Sequence, residues 1–207
     1  MALKHSYTLL APLYDFIVAG PLDKARANSI GSITDCADKD ILINGIGSGL
    51  DIPHLPRDAR YTGTDITPAM LKIAQQRAQE HAFPIELICA DSQQLPFDDG
   101  QFDIVLMHLI LAVVPQPALA LQEAARVLKP GGNLYIFDKF LKPGEFAPVR
   151  RTLNLLSRHI ATRMDVVFEE TLAYSPTLKI ISDEPVLANG WFRLIRLEKS
   201  LINNDEN

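Results

Sequence analysis

The chain predicts an α/β fold: a seven-stranded, mostly parallel sheet with helices on both faces and an antiparallel last strand. Three observations carry this. Apolar strand-like runs alternate with helical patterns through the middle of the chain, which implies parallel strands joined by crossover helices. The last two strand-like runs, within "LKIISDEPVLANGWFRLIRLEK" (178–199), are separated by Pro185 and Asn189-Gly190 with no helix, as in an antiparallel pair. The first strand runs straight into a glycine loop, "ILINGIGSGLDIPHLP" (41–56), at the sheet edge where open α/β folds bind ligands.

The elements follow in order. "YTLLAPLYDFIVAG" is apolar, but Pro12 and Asp15 interrupt it and only Lys4 and His5 precede it. It has neither the unbroken apolar core of a signal peptide nor the roughly 18 apolar residues of a membrane span. It reads as a short amphipathic or cofactor-covering segment. "LDKARANSIGSITDC" (22–36) reads as a helix. "DILING" (40–45), "RYTGTD" (60–65), "IELICA" (85–90), "FDIVLMH" (102–108) and "NLYIFD" (133–138) read as strands. Between them, "PAMLKIAQQRAQEH" (68–81) and "ALALQEAARVLK" (118–129) carry apolar residues at helical spacing, the second ending at Pro130-Gly131-Gly132. The tail "NNDEN" is polar and reads as frayed. With no repeat or low-complexity linker, 1–207 is one domain, with 1–38 an N-terminal cap segment and helix and 146–175 a helical substrate-side insertion.

The 207 residues, 47% hydrophobic and 22% charged, suit one soluble domain with a full core. A net charge of -5 disfavours nucleic-acid binding by bulk charge. Cys36 and Cys89 match no metal-ligand spacing, so no metal site is expected, and Cys89 in "IELICA" reads as buried and reduced. Free cysteines point to a cytoplasmic, reducing compartment.

In the loop, Gly45 permits a tight turn, while Gly47 and Gly49 let the backbone approach a ligand. Asp65 lies 20 positions after Gly45, at the end of the second strand, where a carboxylate can accept from both hydroxyls of a ribose. It reads equally as an N-cap for the helix beginning near Pro68; the combined spacing favours an adenosine-containing cofactor. A dinucleotide loop is G-x-G-x-x-G with a long helix facing a pyrophosphate. Here the loop is G-x-G-x-G, and Pro53 and Pro56 limit any helix, which suits an amino-acid tail better.

These motifs resemble, over roughly residues 5–140, the class I S-adenosylmethionine-dependent methyltransferases (type 11), a Rossmann-like family. "YTLLAPLYD" is similar to the start of the quinone and phospholipid-amine subgroup, and "GIGSG" to the methionine-side loop. "YTGTDITPAMLKIAQQRA" resembles the ribose motif, "CADSQQLPFDDGQFDIV" the adenine motif, and "ARVLKPGGNLYIFD" the helix–turn–strand that follows. The resemblance assigns Gly45, Ile46, Gly47 and Gly49 to the methionine part of S-adenosyl-L-methionine and Asp65 to the ribose. Ile66 and Met70 pack near the adenine, Asp91 accepts from its amino group, and Ser92 offers its backbone N–H. Met107 and His108 line the sulfonium side, and Tyr14 closes over the cofactor. The family's usual acidic residue two places before the first glycine is Ile43 here, so a charge-assisted bond to the cofactor's amino group is lost. Asn44 points to the opposite face by strand alternation.

Methyl transfer mainly requires placing a nucleophile in line with the sulfonium. If a base is needed, His108 at the end of the fourth strand is the candidate; its other reading is a histidine that shapes the pocket. The strand ends "LMHLIL" without N-P-P-Y or D-P-P-Y, which argues against adenine or glutamine-amide acceptors. "FAPVRRTLNLLSRHIATRM" (146–164) reads as a basic amphipathic helix, with Arg150, Arg151, Arg158 and Arg163 beside Leu153, Leu156 and Ile160. It is either a solvated face over a packed stripe or a cap reaching a lipid or quinone-precursor headgroup, with peripheral membrane contact. The sequence thus predicts a methyltransferase of a small-molecule or lipid-like acceptor and sets no oligomeric state. Two alternatives stand beside it: a catalytically reduced binding or regulatory relative, on the evidence of Ile43, and a nicotinamide-dependent oxidoreductase.

Overall fold

The structure, a computed structural model, describes residues 22–141, 166–187 and 190–201. Tyr14, the rest of the N-terminal cap, the basic stretch 146–164 and the tail lie outside them. The described chain opens with helix α1 (22–31), followed by β1 (Asp40–Asn44), a short 3-10 turn (Ile52–His54) and β2 (Arg60–Asp65). Then come α2 (Pro68–Glu80), β3 (Glu86–Cys89), β4 (Phe102–His108), α3 (Pro117–Val127) and β5 (Leu128–Lys139). The chain closes with α4 (Phe168–Leu172), β6 (Leu178–Leu187) and β7 (Phe192–Lys199).

The seven strands form one sheet in the order β3-β2-β1-β4-β5-β7-β6. All pairs from β3 to β5 are parallel, and β7 runs antiparallel to both β5 and β6. The strand order reverses beside β1, between β2 and β4, and that switch point is where a crevice opens above the carboxyl ends of the strands.

Strand alternation assigns each face its helices. Leu42, Val105, Met107, Leu134 and Ile136 pack with Leu121 and Ala124 of α3 and with Phe168 of α4. Ile41, Ile43, Ile104 and Leu106 pack on the other face with Ile30 of α1 and Ala78 of α2. Because β1 and β4 are covered on both faces, they read as continuous apolar runs.

Three boundaries differ from the sequence reading. The first helix stops by residue 32, because the chain turns through left-handed residues Asp35 (φ 54°) and Asp38 (φ 59°) before β1. The α3 helix ends at Val127, and Pro130-Gly131-Gly132 lies inside β5, where the pairing with β4 jumps from Phe102–Leu128 to Ile104–Asn133. Lys199 Nζ donates to the Leu128 carbonyl at 2.6 Å, placing a cation at the end of α3. Cys89, expected to be buried, is exposed, because β3 is an edge strand; Cys36 is buried, and both are free. No described helix is long and apolar enough to cross a membrane.

Candidate active site

A cavity of about 470 Å³ opens over the carboxyl ends of β1, β2 and β4. Its floor is the loop that follows β1. Gly45 (φ +82°) sits where a Cβ would lie 2.6 Å from Ile110 Cδ1. At Gly47 (φ +57°) nothing lies within 4 Å of an added Cβ, so the backbone faces open cavity there. Gly49 does not line the cavity; a Cβ there would meet Ile52 Cδ1 at 2.7 Å and Ala74 Cα at 3.2 Å, so it packs the loop against α2. Ile46 borders the cavity but turns its side chain over Gly63 into the core.

At one end, Asp65 accepts the Gly47 N–H through Oδ2 at 3.1 Å and the Thr67 N–H through Oδ1 at 2.8 Å. Asp65 ties the strand end to Thr67, which, and not Asp65 itself, is the N-cap of α2, and it borders the cavity. Burial raises its carboxyl above the usual range, opposed by those backbone bonds. Ile66, Met70, Asp91 and Ser92 border the same end. Asp91 Oδ1 accepts from the Gln93 backbone at 2.9 Å and from its side-chain amide at 3.0 Å. Gln93 in turn accepts the Gln116 N–H at 2.9 Å through Oε1, which anchors the start of α3 to this edge.

At the other end lies a buried polar chain. Asp51 Oδ1 accepts from Arg26 Nη1 of α1 at 2.7 Å and from His108 Nδ1 at 3.0 Å. The His108 Nε2 shares a 3.0 Å hydrogen bond with the Ser29 hydroxyl. With Asp51 ionised, Nδ1 carries the proton toward it, and both ring nitrogens are engaged. Burial alone would raise the Asp51 carboxyl; the charges and hydrogen bonds of His108 and Arg26 outweigh it and hold it well below the usual carboxylate range. Arg26 and His108 both border the cavity. Just beyond, Leu109 takes a left-handed φ of 58°, an unusual conformation for a branched side chain, and starts the apolar wall formed by Ile110, Val113 and Val114.

Besides Gly49, a second expected site residue lies away from the cavity. Met107 is fully buried on the α3 face and does not border the cavity. Successive strand residues point to opposite faces, so Met107 and His108 cannot both reach it. Ile43 likewise does not border the cavity; it is 1% exposed, inside the apolar cluster with Ile41 and Ile30. The reading missed Arg26, Ser29, Asp51 and the Leu109–Val114 wall. The apolar run "LILAVV" was a signal for the wall; a lone arginine and serine in a mixed helix gave none.

Comparison with known proteins identifies the scaffold. The methyltransferase domain family matches residues 42–136, which run from β1 through β5 and hold most of the cavity. Over these residues the chain is similar to the S-adenosylmethionine-dependent methyltransferases. The chain is 28% identical over 201 residues to a phosphatidylethanolamine N-methyltransferase of Cereibacter sphaeroides, covering 96% of this chain and 98% of the relative. It is 35% identical over 150 residues to a demethylmenaquinone methyltransferase of Tropheryma whipplei, covering 71% of this chain and 60% of the relative. Other curated relatives are longer, and the chain spans 26% to 56% of their length. In fold it matches the [4+2]-cyclase SpnF with a TM-score of 0.78 at 18% identity, covering 96% of this chain and 95% of that one.

The residues present fit the family's cofactor, S-adenosylmethionine. The open face of Gly47 is a cradle that a side chain would fill, the Asp65 carboxylate borders the cavity, and the volume lies within the range of small-molecule sites. The family match displaces the nicotinamide reading.

Proposed function

We propose that this methyltransferase transfers a methyl group to a small, lipid-like acceptor, with the amine of a phospholipid headgroup as the first choice and a quinone-type ring carbon as the second. The single observation that carries the reading is the pairing of the Asp65 carboxylate with the open glycine loop on the floor of the cavity. The preference for an amine rests on the phosphatidylethanolamine relative, which aligns along nearly the whole chain.

S-Adenosylmethionine supplies an electrophilic methyl on a sulfonium. Gly45, Gly47 and the backbone of Ile46 hold its methionine part, Asp65 accepts the ribose hydroxyls, and Ile66 and Met70 pack against the base. Asp91 accepts from the adenine amino group beside the Ser92 N–H. Gly49 acts indirectly, by seating the loop on α2. The wall from Leu109 to Val114 excludes water from the opposite side, so that orientation and desolvation supply most of the effect. His108 contributes chiefly by position, since its Nε2 is held by Ser29; removing a proton from the acceptor requires that bond to open first. Tyr14, expected to close over the cofactor, and the basic stretch 146–164, expected on the substrate side, lie outside the described residues. The two free thiols suit a reducing compartment such as the cytoplasm.

The test supplies S-adenosylmethionine carrying a tritiated methyl group with phosphatidylethanolamine vesicles, or in a parallel arm with a demethylated quinol. Label in the lipid extract of the first arm supports the amine reading, and label only in the second selects the ring carbon. No label in either, with cofactor binding intact, would favour the binding-protein reading.

A further inference from the structure

A second cavity, of about 530 Å³, lies between α1 and strands β5, β7 and β6. Its volume also falls within the range of small-molecule sites. Tyr135, only 4% exposed, forms part of its floor. Arg196 stands opposite Tyr135 across the β5–β7 pair, its guanidinium carbon 5.7 Å from the ring centroid. Its Nε donates to Asn133 Oδ1 at 3.0 Å, and its two terminal nitrogens have no partner among the described residues. Stacked on a ring and tied at Nε, the planar fork is held in place yet open at its tip. Glu184 of β6 borders the same cavity and has no partner among the described residues. The register sets Ser182 against Arg196 and Glu184 against Leu194, so Glu184 and Arg196 are diagonal neighbours, roughly 7–8 Å apart at the backbone. Long side chains can close such a gap. On the opposite face, Asp183 and Arg193 stand on a comparable diagonal and do pair, Nε to Oδ1 at 2.9 Å. Glu184 and Arg196 instead face the cavity as two separate, opposite charges. The cavity also reaches Ser29, whose hydroxyl shares the 3.0 Å bond with His108 of the first cavity.

We propose that this second cavity is a binding site for a small zwitterion, with Arg196 taking its oxyanion and Glu184 its ammonium. A simple anion is attracted by Arg196 but repelled by Glu184, and a simple amine meets the reverse. Only a ligand carrying both charges on a short chain satisfies the two side chains together. Two sources supply that chemistry: an ethanolamine phosphate headgroup and a free amino acid. The site is distinct from the cofactor cavity, and the proposal stands whether or not the methyltransferase reading does.

The experiment titrates the full chain calorimetrically, as wild type, Arg196→Gln and Glu184→Gln, with and without saturating S-adenosylhomocysteine. The probes are O-phosphoethanolamine, glycine and inorganic phosphate. The wild type should bind at least one of the two zwitterions, and the tighter one identifies the source. Glu184 is exposed and Arg196 half-buried, so both variants should keep the wild-type melting temperature. Arg196→Gln should weaken the zwitterion by about tenfold or more. Glu184→Gln should weaken it by a similar factor, yet bind inorganic phosphate as well as the wild type or better, because a repelling charge is gone. That opposite response is the signature of a site that brackets both charges. A wild type that binds neither zwitterion overturns the proposal. So does undiminished zwitterion binding in either folded variant, which would place the probe in the first cavity. A Glu184→Gln protein that loses phosphate as much as zwitterion also overturns it. Binding of S-adenosylhomocysteine, measured alongside, reports on the methyltransferase reading separately.

Discussion

Asp51 and His108 form a buried pair: the carboxylate lies 3.0 Å from Nδ1, with side chains only 3% and 1% exposed, and the same oxygen takes the Arg26 guanidinium at 2.7 Å. Neither Asp51 nor its neighbours in "GSGLDIPHLP" marks it as part of a site. Yet it organises the two polar side chains that face the cavity beside the glycine loop.

Removing that carboxylate leaves a buried cation without its partner. Asp51→Ala should lower stability by about 3–5 kcal/mol, the usual cost of breaking a buried ion pair from one side. Urea unfolding measures it. A loss under about 1 kcal/mol would mean that the network is solvated and not structural.

Asp65 and Met107 make a matched comparison, since the sequence assigned both to the cofactor and the structure separates them. Asp65→Ala should weaken S-adenosylhomocysteine binding by about tenfold or more, through loss of a charged acceptor. Met107→Leu, in the core beneath α3, should leave affinity unchanged and cost less than about 1.5 kcal/mol of stability. Calorimetry on both variants separates binding from packing.

The loop glycines divide in the same way. Gly47→Ala places a methyl into open cavity, so cofactor binding should fall while the fold bears only the left-handed strain of about 1–2 kcal/mol. Gly49→Ala drives a methyl against Ile52 and the α2 backbone at Ala74, so it should destabilise the fold more. Melting temperature and dissociation constant for each variant decide it, and the reverse ranking would relocate the cradle.

Ile43→Asp would bury a carboxylate in the cluster of Ile41, Ile30 and Ile52. Burial without a partner costs several kcal/mol, so the melting temperature should drop steeply and cofactor affinity should not improve. Tighter binding would show that the strand end does reach the ligand's amino group.

Asp138 is fully buried beneath the cavity wall, its oxygens accepting the Ala112 N–H at 3.0 Å and the Lys139 N–H at 2.8 Å. Burial pushes its carboxyl up to about 6, against those backbone bonds. Between pH 4 and 6 the folded protein therefore keeps a proton that the unfolded chain releases. Stability falls as pH rises through that window, by on the order of 3 kcal/mol, and stays level above it. Asp138→Asn does not titrate, so the stability of wild type relative to this variant should decline from pH 4 to 6 and then flatten. Denaturant titrations at a series of pH values would contradict this if the difference rose.

The fold was legible because its signals are local. Strands β2 (Arg60–Asp65) and β4 (Phe102–His108) fall where the apolar runs place them, and glycines and prolines mark their ends. One side of the cavity was also legible, since Asp65, Asp91, Gly45 and Gly47, which border it, sit at characteristic positions along the chain. The other end was not. Arg26, Asp51 and His108 are separated by 25 and 57 positions, and nothing local in "LDKARANS" distinguishes the arginine that turns inward from those that do not. Met107 was misplaced because proximity along the chain is not proximity in a strand, where each step reverses the face. Cys89 was misjudged because an apolar run does not reveal whether its strand lies at the sheet's centre or edge.

The central claim is that the cavity over β1, β2 and β4 is an S-adenosylmethionine site, and calorimetric titration of the full chain with S-adenosylhomocysteine tests it most directly. The account predicts saturable binding at one site per chain. Absence of binding, with the protein folded, would contradict it.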